Sequence, residues 1–428
     1  MSQMINLCDG VDAVYIKSSK FKTTRISVTF FVPLDKNTIS QNTLLPALLS
    51  TSSANYPNYR KLQLGLAALY GASVSASSGK VGDALMISLS INGVDDKFLD
   101  TNESVAQKYA GLLSDMIFRP NLDESGNFID TDIAREKRLL CESIQGELNN
   151  KRLYALLHAE EELFRDEVYG TPHYGTAKGA MAVSAEDIKA AWEYIQKSAY
   201  ARVSVVSSTD PAPIFDVFKS EFGKIERTAI RPTAVNLLAA RDSVIDTGET
   251  IDVTQGKMVL MFTTEQGGGY KNSAALFIMC DLFGGGPYSR LFLNVREKLS
   301  LCYYCAARVN RYKGILTVDS GVERENAQPA KQEILRQLDI VKQGDFTDAD
   351  LETSKRAKID QIRTLDDFAA ELEGFYVAQL FDESITTPSE FIKAIADVTK
   401  KDVIKAAQGI NLALTYMLTP EKGEDKSE

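Results

Sequence analysis

The chain runs to 428 residues, 44% hydrophobic and 25% charged, the balance of an ordinary soluble globular protein and too long for a single hydrophobic core. A formal net charge of −10 leaves no basic footprint for neutralising phosphates, which excludes nucleic acid as the expected partner. No apolar run approaches the ~20 residues that cross a bilayer, and the opening MSQMINLCDG lacks the basic-then-apolar plan of a secretory signal, so the expectation is a cytoplasmic protein with no membrane contact.

In chain order, the first strand signal is RISVTFFVP (Arg25–Pro33), apolar and rich in β-branched residues. Two helical stretches follow, the first containing PALLS (Pro46–Ser50), and then the strand ALMISLSI from Ala84. A long helical stretch ends in ELF at Phe164 and gives way to the turn-like YGTPHYGT (Tyr169–Thr176). At VSAEDI, Ser184 stands as an N-cap with an acid three residues on, and ARVSVVSS from Ala201 closes the half with a strand. Periodicity then weakens, which predicts an N-terminal domain over 1–225, a linker over 226–246 and a C-terminal domain over 247–428.

The second half repeats the first. Asn42 and Asn272, Arg60 and Arg290, Leu62 and Phe292, and Leu69 and Leu299 are each 230 positions apart. KMVLMFTT from Lys257 and GILTVDSG from Gly314 take the places of the two earlier strands. Later, QLF at Phe381, VTKKDV with Thr399 as cap, and LALTYMLT from Leu412 answer the first-half sequence in order. The fold expected is α+β, two tandem homologous domains in which a sheet of amphipathic strands carries helices on one side. The KGEDKSE tail is charged, poor in apolar residues, and reads as frayed.

Five cysteines, Cys8, Cys141, Cys280, Cys302 and Cys305, form an odd, scattered set that reads as reduced thiols. Cys302 and Cys305 make a CxxC, but LCYYCAARV reads as a strand, where an odd separation sends the two side chains to opposite faces. Gly284–Gly286 has neither the preceding strand nor the following Lys-Ser/Thr of a phosphate loop, and reads as a helix C-cap leading into a helix from about Tyr288. The two histidines, His158 in LLHAEEELF and His173 in the PHYG turn, lack metal-site spacing and read as surface or helix-face residues. No Ser-His-Asp or Cys-His arrangement presents itself.

The stretch LFGGGPYSRLFLNVREKLSLCYY, the tandem layout and YGTPHYGT together resemble the M16 (pitrilysin or insulinase-like) metallopeptidase family over nearly the whole chain. The resemblance implies the LuxS/M16-like metallohydrolase fold, two homologous α/β-layer domains in a half-shell. Most such enzymes bind zinc through HxxEH on the first helix and a distal glutamate. The register here puts PALLS at HxxEH, with Pro46 and Ser50 in place of the histidines and Leu49 in place of the glutamate. Glu142 matches the distal ligand. A catalytic zinc needs three nitrogen, sulfur or carboxylate ligands, so no metal, no cofactor and no catalytic residue are expected.

Arg296 and Tyr303, in contrast, match the arginine and tyrosine with which the family hydrogen-bonds the substrate backbone near the cleaved bond. A guanidinium offers a rigid, permanently charged fork of donors and a phenol a directional one. The other reading of these two has Arg296 paired with an acid on its helix and Tyr303 packed in a strand. The function implied is a non-catalytic, substrate-gripping subunit of a heterodimeric zinc peptidase, with a zinc-bearing paralogue as partner and a peptide as substrate. The alternative is an inactive scaffold or peptide-binding homologue, homodimeric in isolation. Within the family, chain length and the PALLS departure are most similar to bacterial non-catalytic members associated with the aminopentanol modification of elongation factor P.

Overall fold

A computed structural model describes residues 2–100, 103–232, 237–382 and 384–420, so the charged tail and part of the expected linker lie outside the described residues. The strands are β1 (Ser2–Cys8), β2 (Val11–Lys17), β3 (Thr23–Pro33), β4 (Ser73–Val81), β5 (Ala84–Val94), β6 (Tyr200–Ser207), β7 (Ile245–Ile251), β8 (Gly256–Thr263), β9 (Tyr304–Asn310), β10 (Ile315–Val322) and β11 (Asn411–Pro420). The first-half helices are α1 (Ile39–Leu49), α2 (Tyr59–Ala68), α3 (Val105–Phe118), α4 (Asp130–Gly146), α5 (Lys151–Leu163), α6 (Ala177–Ala182), α7 (Ala185–Lys197) and α8 (Ala212–Phe222). The second half adds α9 (Ala274–Gly284), a π-helix (Phe292–Lys298), α10 (Ala327–Gln343), α11 (Asp348–Thr364), α12 (Ala369–Val377), α13 (Pro388–Ala396) and α14 (Lys400–Gln408).

One sheet has the order β1-β2-β6-β3-β5-β4 and the other β7-β11-β8-β10-β9. Apart from β1 the two orders correspond strand for strand. The correspondence includes the parallel pairs β2 with β6 and β7 with β11 in otherwise antiparallel sheets. Helix starts repeat too: Ser184 and Thr399 each form a capping box, with Asp187 and Asp402 respectively. The repeat is therefore structural, in mixed α/β layers.

The compact units are not contiguous in sequence. One holds the described residues of 1–145, 171–233 and 365–380, the other those of 146–170, 234–364 and 381–428. Each long helical run is broken where the chain leaves its own unit. In the first half α4 ends at Gly146, and Asn150 starts α5 by accepting a hydrogen bond from the Leu153 amide at 3.1 Å. In the second half α11 ends at Thr364, and α12 starts only at Ala369. Hence α5 belongs to the second unit and α12 to the first. β7 begins at Ile245, inside the stretch read as linker.

These two helices cover the sheet faces left open by the others, where helices on one side only were expected. On β3, Ile26, Val28 and Phe30 are fully buried on one face, where Phe30 meets Phe222 of α8 at 6.3 Å and Phe222 meets Phe118 of α3 at 4.9 Å. The alternate residues Arg25 and Ser27 point the other way. There both donate to the Glu373 carboxylate of α12, and Arg202 of β6 donates to the Tyr376 carbonyl at 3.0 Å. In the second unit α5 brings Arg152 to Asp319 of β10, a residue 1% exposed, whose other oxygen accepts from Arg308 of β9 at 2.7 Å. Tyr154 of α5 and Tyr416 of β11 donate to Glu249 of β7 at 2.9 and 2.7 Å.

Removing one partner of a buried ion pair strands the other, which is the costly half of such an interaction. Glu373→Ala leaves Arg25 and Ser27 without their acceptor and is expected to lower stability by about 2–4 kcal/mol. Equilibrium urea unfolding measures this; a loss under ~0.5 kcal/mol would show that the carboxylate does not hold α12 to its sheet.

Candidate functional site

The Gly284–Gly286 motif ends α9 without a left-handed cap: the Gly285 amide donates to the Asp281 carbonyl at 2.8 Å at φ −82°. Gly284 has a packing role. A Cβ there would lie 2.7 Å from the Ala307 Cβ, so glycine is what lets α9 lie directly against β9. Helix resumes at Arg290 and widens into π geometry over Phe292–Lys298. Such turns are rare and cluster at functional sites. Val295 is fully buried, while the Arg296 side chain is 42% exposed.

The following loop is pinned along its length. The Leu299 amide donates to Asn294 O at 3.2 Å, that of Leu301 to Val295 O at 3.0 Å and that of Tyr303 to Gly321 O at 2.9 Å. Between them Ser300 sits at φ +50°, a left-handed conformation uncommon outside glycine. The result is a 420 Å³ pocket in the second unit, lined by Arg296, Ser300, Cys302, Tyr303 and Glu323 among others. Tyr303 is 60% exposed, and its hydroxyl donates to Glu323 at 2.9 Å. That hydrogen bond to a carboxylate pushes the phenol pKa up, so Tyr303 stays a neutral donor. Arg296 lies over the Phe292 ring at 4.6 Å and 3.6 Å from the Glu297 carboxylate. Tyr303 occupies a bend ahead of β9 and does not pack within the strand. β9 is an edge strand, hydrogen-bonded to β10 alone, and so offers backbone groups to an extended chain.

The first-half positions present no comparable donors. Pro46 and Leu49 are buried in α1, and the Ser50 hydroxyl just beyond it is turned back onto the Ala47 carbonyl at 2.9 Å. Beside the end of α1 a 530 Å³ pocket is lined by Thr51, Ser52, Asp132 and Arg135, with Asp132 accepting from Arg135 at 2.6 Å. Glu142 is exposed on α4 and accepts from Arg138 at 2.8 Å. Proline, leucine and serine side chains do not fit a zinc ion, and one surface carboxylate does not compensate. Among the described residues no group of three or more His, Cys, Asp or Glu could hold a metal. The histidines belong to different units. His158 stacks on Tyr154 at 4.0 Å with Nδ1 3.1 Å from Glu249, while His173 is half-buried, its pKa lowered by desolvation and then by Lys80.

One arrangement runs against the sequence reading. Cys302 lies outside β9, which begins only at Tyr304, so strand alternation does not fix which way its side chain points. The neighbouring Cys305, helped by Ser320 and Arg296 and opposed by burial, draws the Cys302 thiol down, while Cys302 and burial raise Cys305 well above its ordinary value.

Comparison with known proteins agrees with the geometry. Residues 182–358 match the model of the "Peptidase M16 inactive domain". A "Probable inactive metalloprotease YmfF" of Bacillus subtilis is 30% identical over 416 residues, 97% of each chain. An "Uncharacterized zinc protease" of Rickettsia bellii is 23% identical over 297 residues, 67% of this chain and 69% of the other. Among solved structures, a conserved protein from Enterococcus faecalis superimposes with a TM-score of 0.89 at 28% identity, covering 99% of this chain and 100% of that one. A Pseudomonas fluorescens structure described as a peptidase M16 inactive domain shares the fold, at a TM-score of 0.79, 14% identity and 99% coverage of both chains.

With no ligand set on α1, the purified chain, loaded with zinc and then dialysed, is expected to retain far less than one equivalent by atomic absorption. Stoichiometric, chelator-resistant zinc would contradict this account of the site.

Proposed function

Since the chain belongs to the M16 metallopeptidase family, as a member whose first helix offers no zinc ligands, we propose that it is the non-catalytic, substrate-gripping subunit of a two-chain zinc peptidase. A zinc-bearing paralogue supplies HxxEH, and the substrate is a peptide. The observation that carries the reading is the pocket in which Arg296 and Tyr303 remain exposed beside Glu323. The printed name of the Bacillus subtilis relative, a probable inactive metalloprotease, supports the lack of hydrolysis by this chain alone.

The chemistry of the grip follows from the donors. A peptide carbonyl placed in the pocket accepts from the Arg296 guanidinium, a rigid fork of donors. As negative charge grows on that oxygen during attack, the hydrogen bond strengthens, so the donor favours the transition state over the bound substrate. Tyr303 adds a second donor once its hydroxyl turns from Glu323, and the freed carboxylate can accept a peptide N–H. No proton transfer is required of either residue. The setting proposed is the cytoplasm, and the pathway the aminopentanol modification of elongation factor P.

One observation favours the alternative, an inactive scaffold or a homodimeric peptide-binding protein: the Tyr303 hydroxyl is already committed to Glu323 within its own chain. Kinetics of the mixed dimer separate the two readings. Arg296→Ala is expected to cost roughly 10²–10³ in kcat, and Tyr303→Phe about tenfold, with the dimer intact by size exclusion. Rates unchanged in both variants would favour the scaffold.

A further inference from the structure

β9 is the edge of the second sheet, bonded to β10 alone, so alternate backbone groups along Tyr304–Asn310 point away from the sheet. Its two faces differ. Ala307 packs against α9 at Gly284, whereas Tyr304 and Arg308, on the opposite face, meet Arg152 of α5. Arg152 lies 4.5 Å over the Tyr304 ring and shares the buried Asp319 carboxylate with Arg308, each guanidinium bonding a different oxygen. Among the described residues neither guanidinium makes another hydrogen bond, and the two side chains are 44% and 52% exposed, so donors of both forks remain available. A third cation stands beside them. Lys257 of β8 is 5.7 Å from the centre of the Tyr304 ring and donates to Gln255 at 2.6 Å; burial and then the Arg152 charge lower its pKa. The acid that acts on Lys257, Glu323, already accepts from Tyr303. Three cations thus face two carboxylates, in a chain whose formal net charge is −10.

We propose that β9 takes up an extended acidic peptide as an added strand, a glutamate or aspartate of that peptide pairing with Arg308 and Arg152. The inference rests on the substrate-gripping role proposed above and names the class of peptide gripped. Main-chain hydrogen bonds to the strand edge supply affinity that is indifferent to sequence, and the two guanidinium forks select for a carboxylate. Arg308 stands five residues beyond Tyr303, so at ~3.3 Å per extended residue the acid sits roughly 17 Å from the gripping pair. The favoured peptide therefore carries its acid about five positions from the peptide bond held by Arg296 and Tyr303, on the side of the strand facing α5.

Fluorescence anisotropy with the full chain tests this, using labelled, end-blocked peptides of Ser, Thr and Val that carry a central Glu, Gln or Lys. The Glu peptide is expected to bind about three- to tenfold more tightly than the Gln peptide. The Lys peptide is expected to bind most weakly, and the differences to shrink as salt rises. Arg308→Gln is expected to bring the Glu and Gln peptides level, and Arg308→Lys to keep part of the preference. N-methylation of one of the two alternating sets of residues, which blocks strand pairing, is expected to abolish binding of the Glu peptide. Equal binding of Glu and Gln peptides by the unaltered chain overturns the charge selection, and full binding of both N-methylated forms overturns the added strand. Loss of peptide binding as the chain self-associates, followed by sedimentation, assigns β9 to a second copy and overturns the proposal, as does absence of binding by all three peptides. Arg296→Ala separates this inference from the grip. Weaker binding of Glu and Gln peptides alike in that variant, with no charge preference, keeps the grip and removes the acidic partner; a preference for Glu with affinity unchanged by Arg296→Ala keeps the acidic partner and removes the grip.

Discussion

Charge buried on a sheet face must meet its partner, and in each unit that partner arrives on a helix from the other half of the chain. Arg25 and Ser27 of β3 need Glu373 of α12, and Asp319 of β10 needs Arg152 of α5. Closed by its own half, the first sheet would leave Arg25 and Ser27 without their acceptor, and the second would leave Asp319 with Arg308 of β9 as its remaining charged partner. The exchange also explains why strands such as β6 and β10 are buried along their whole length, when a sheet covered on one face would alternate. What looks in sequence like two tandem domains is thus a pair of folding units, each incomplete until residues from the other half arrive.

The repeat was legible because its signals are local. Capping boxes at Ser184 and Thr399 need only an N-cap side chain and an acid three residues on, and the strands at Arg25 and Lys257 announce themselves by composition. The exchanged helices were not legible, because nothing local separates α5 from α4 except the Glu147–Asn150 break. The acid that matters on α12, Glu373, looks like any surface glutamate until Arg25 is opposite it. β7 was missed for a related reason. IDTGETI alternates half-buried with exposed positions, and it becomes a strand by pairing in parallel with β11, more than a hundred and fifty residues later.

At the site, Arg296 and Tyr303 line one pocket, on a backbone that the motif reading misjudged. VREKL was expected to lie on an ordinary helix starting near Tyr288; the π turns over Phe292–Lys298 and the left-handed Ser300 instead carry the chain around so that Arg296, Cys302 and Tyr303 share one pocket. Helical periodicity has no signature for a π segment, and strand alternation does not extend to Cys302, which lies outside the strand. Both errors come from extending a regular period across a stretch whose backbone is irregular.

The two halves differ at the positions compared, and this bears on how the second pocket is read. On α1, Leu49 is fully buried and Pro46 sits within the helix, so these side chains now serve packing; an imidazole or a carboxylate at the buried Pro46 or Leu49 would have to be desolvated. Around the second pocket nothing comparable has happened. Arg296 and Tyr303 face solvent on either side of Ser300, whose left-handed backbone is uncommon for a non-glycine residue. Backbone strain of this kind persists where the surrounding hydrogen bonds over-determine it, as those from Leu299, Leu301 and Tyr303 do. A half that had become only scaffold would be expected to relax toward the condition of α1, and the contrast between the two is the physical ground for reading the second pocket as a surface still in use.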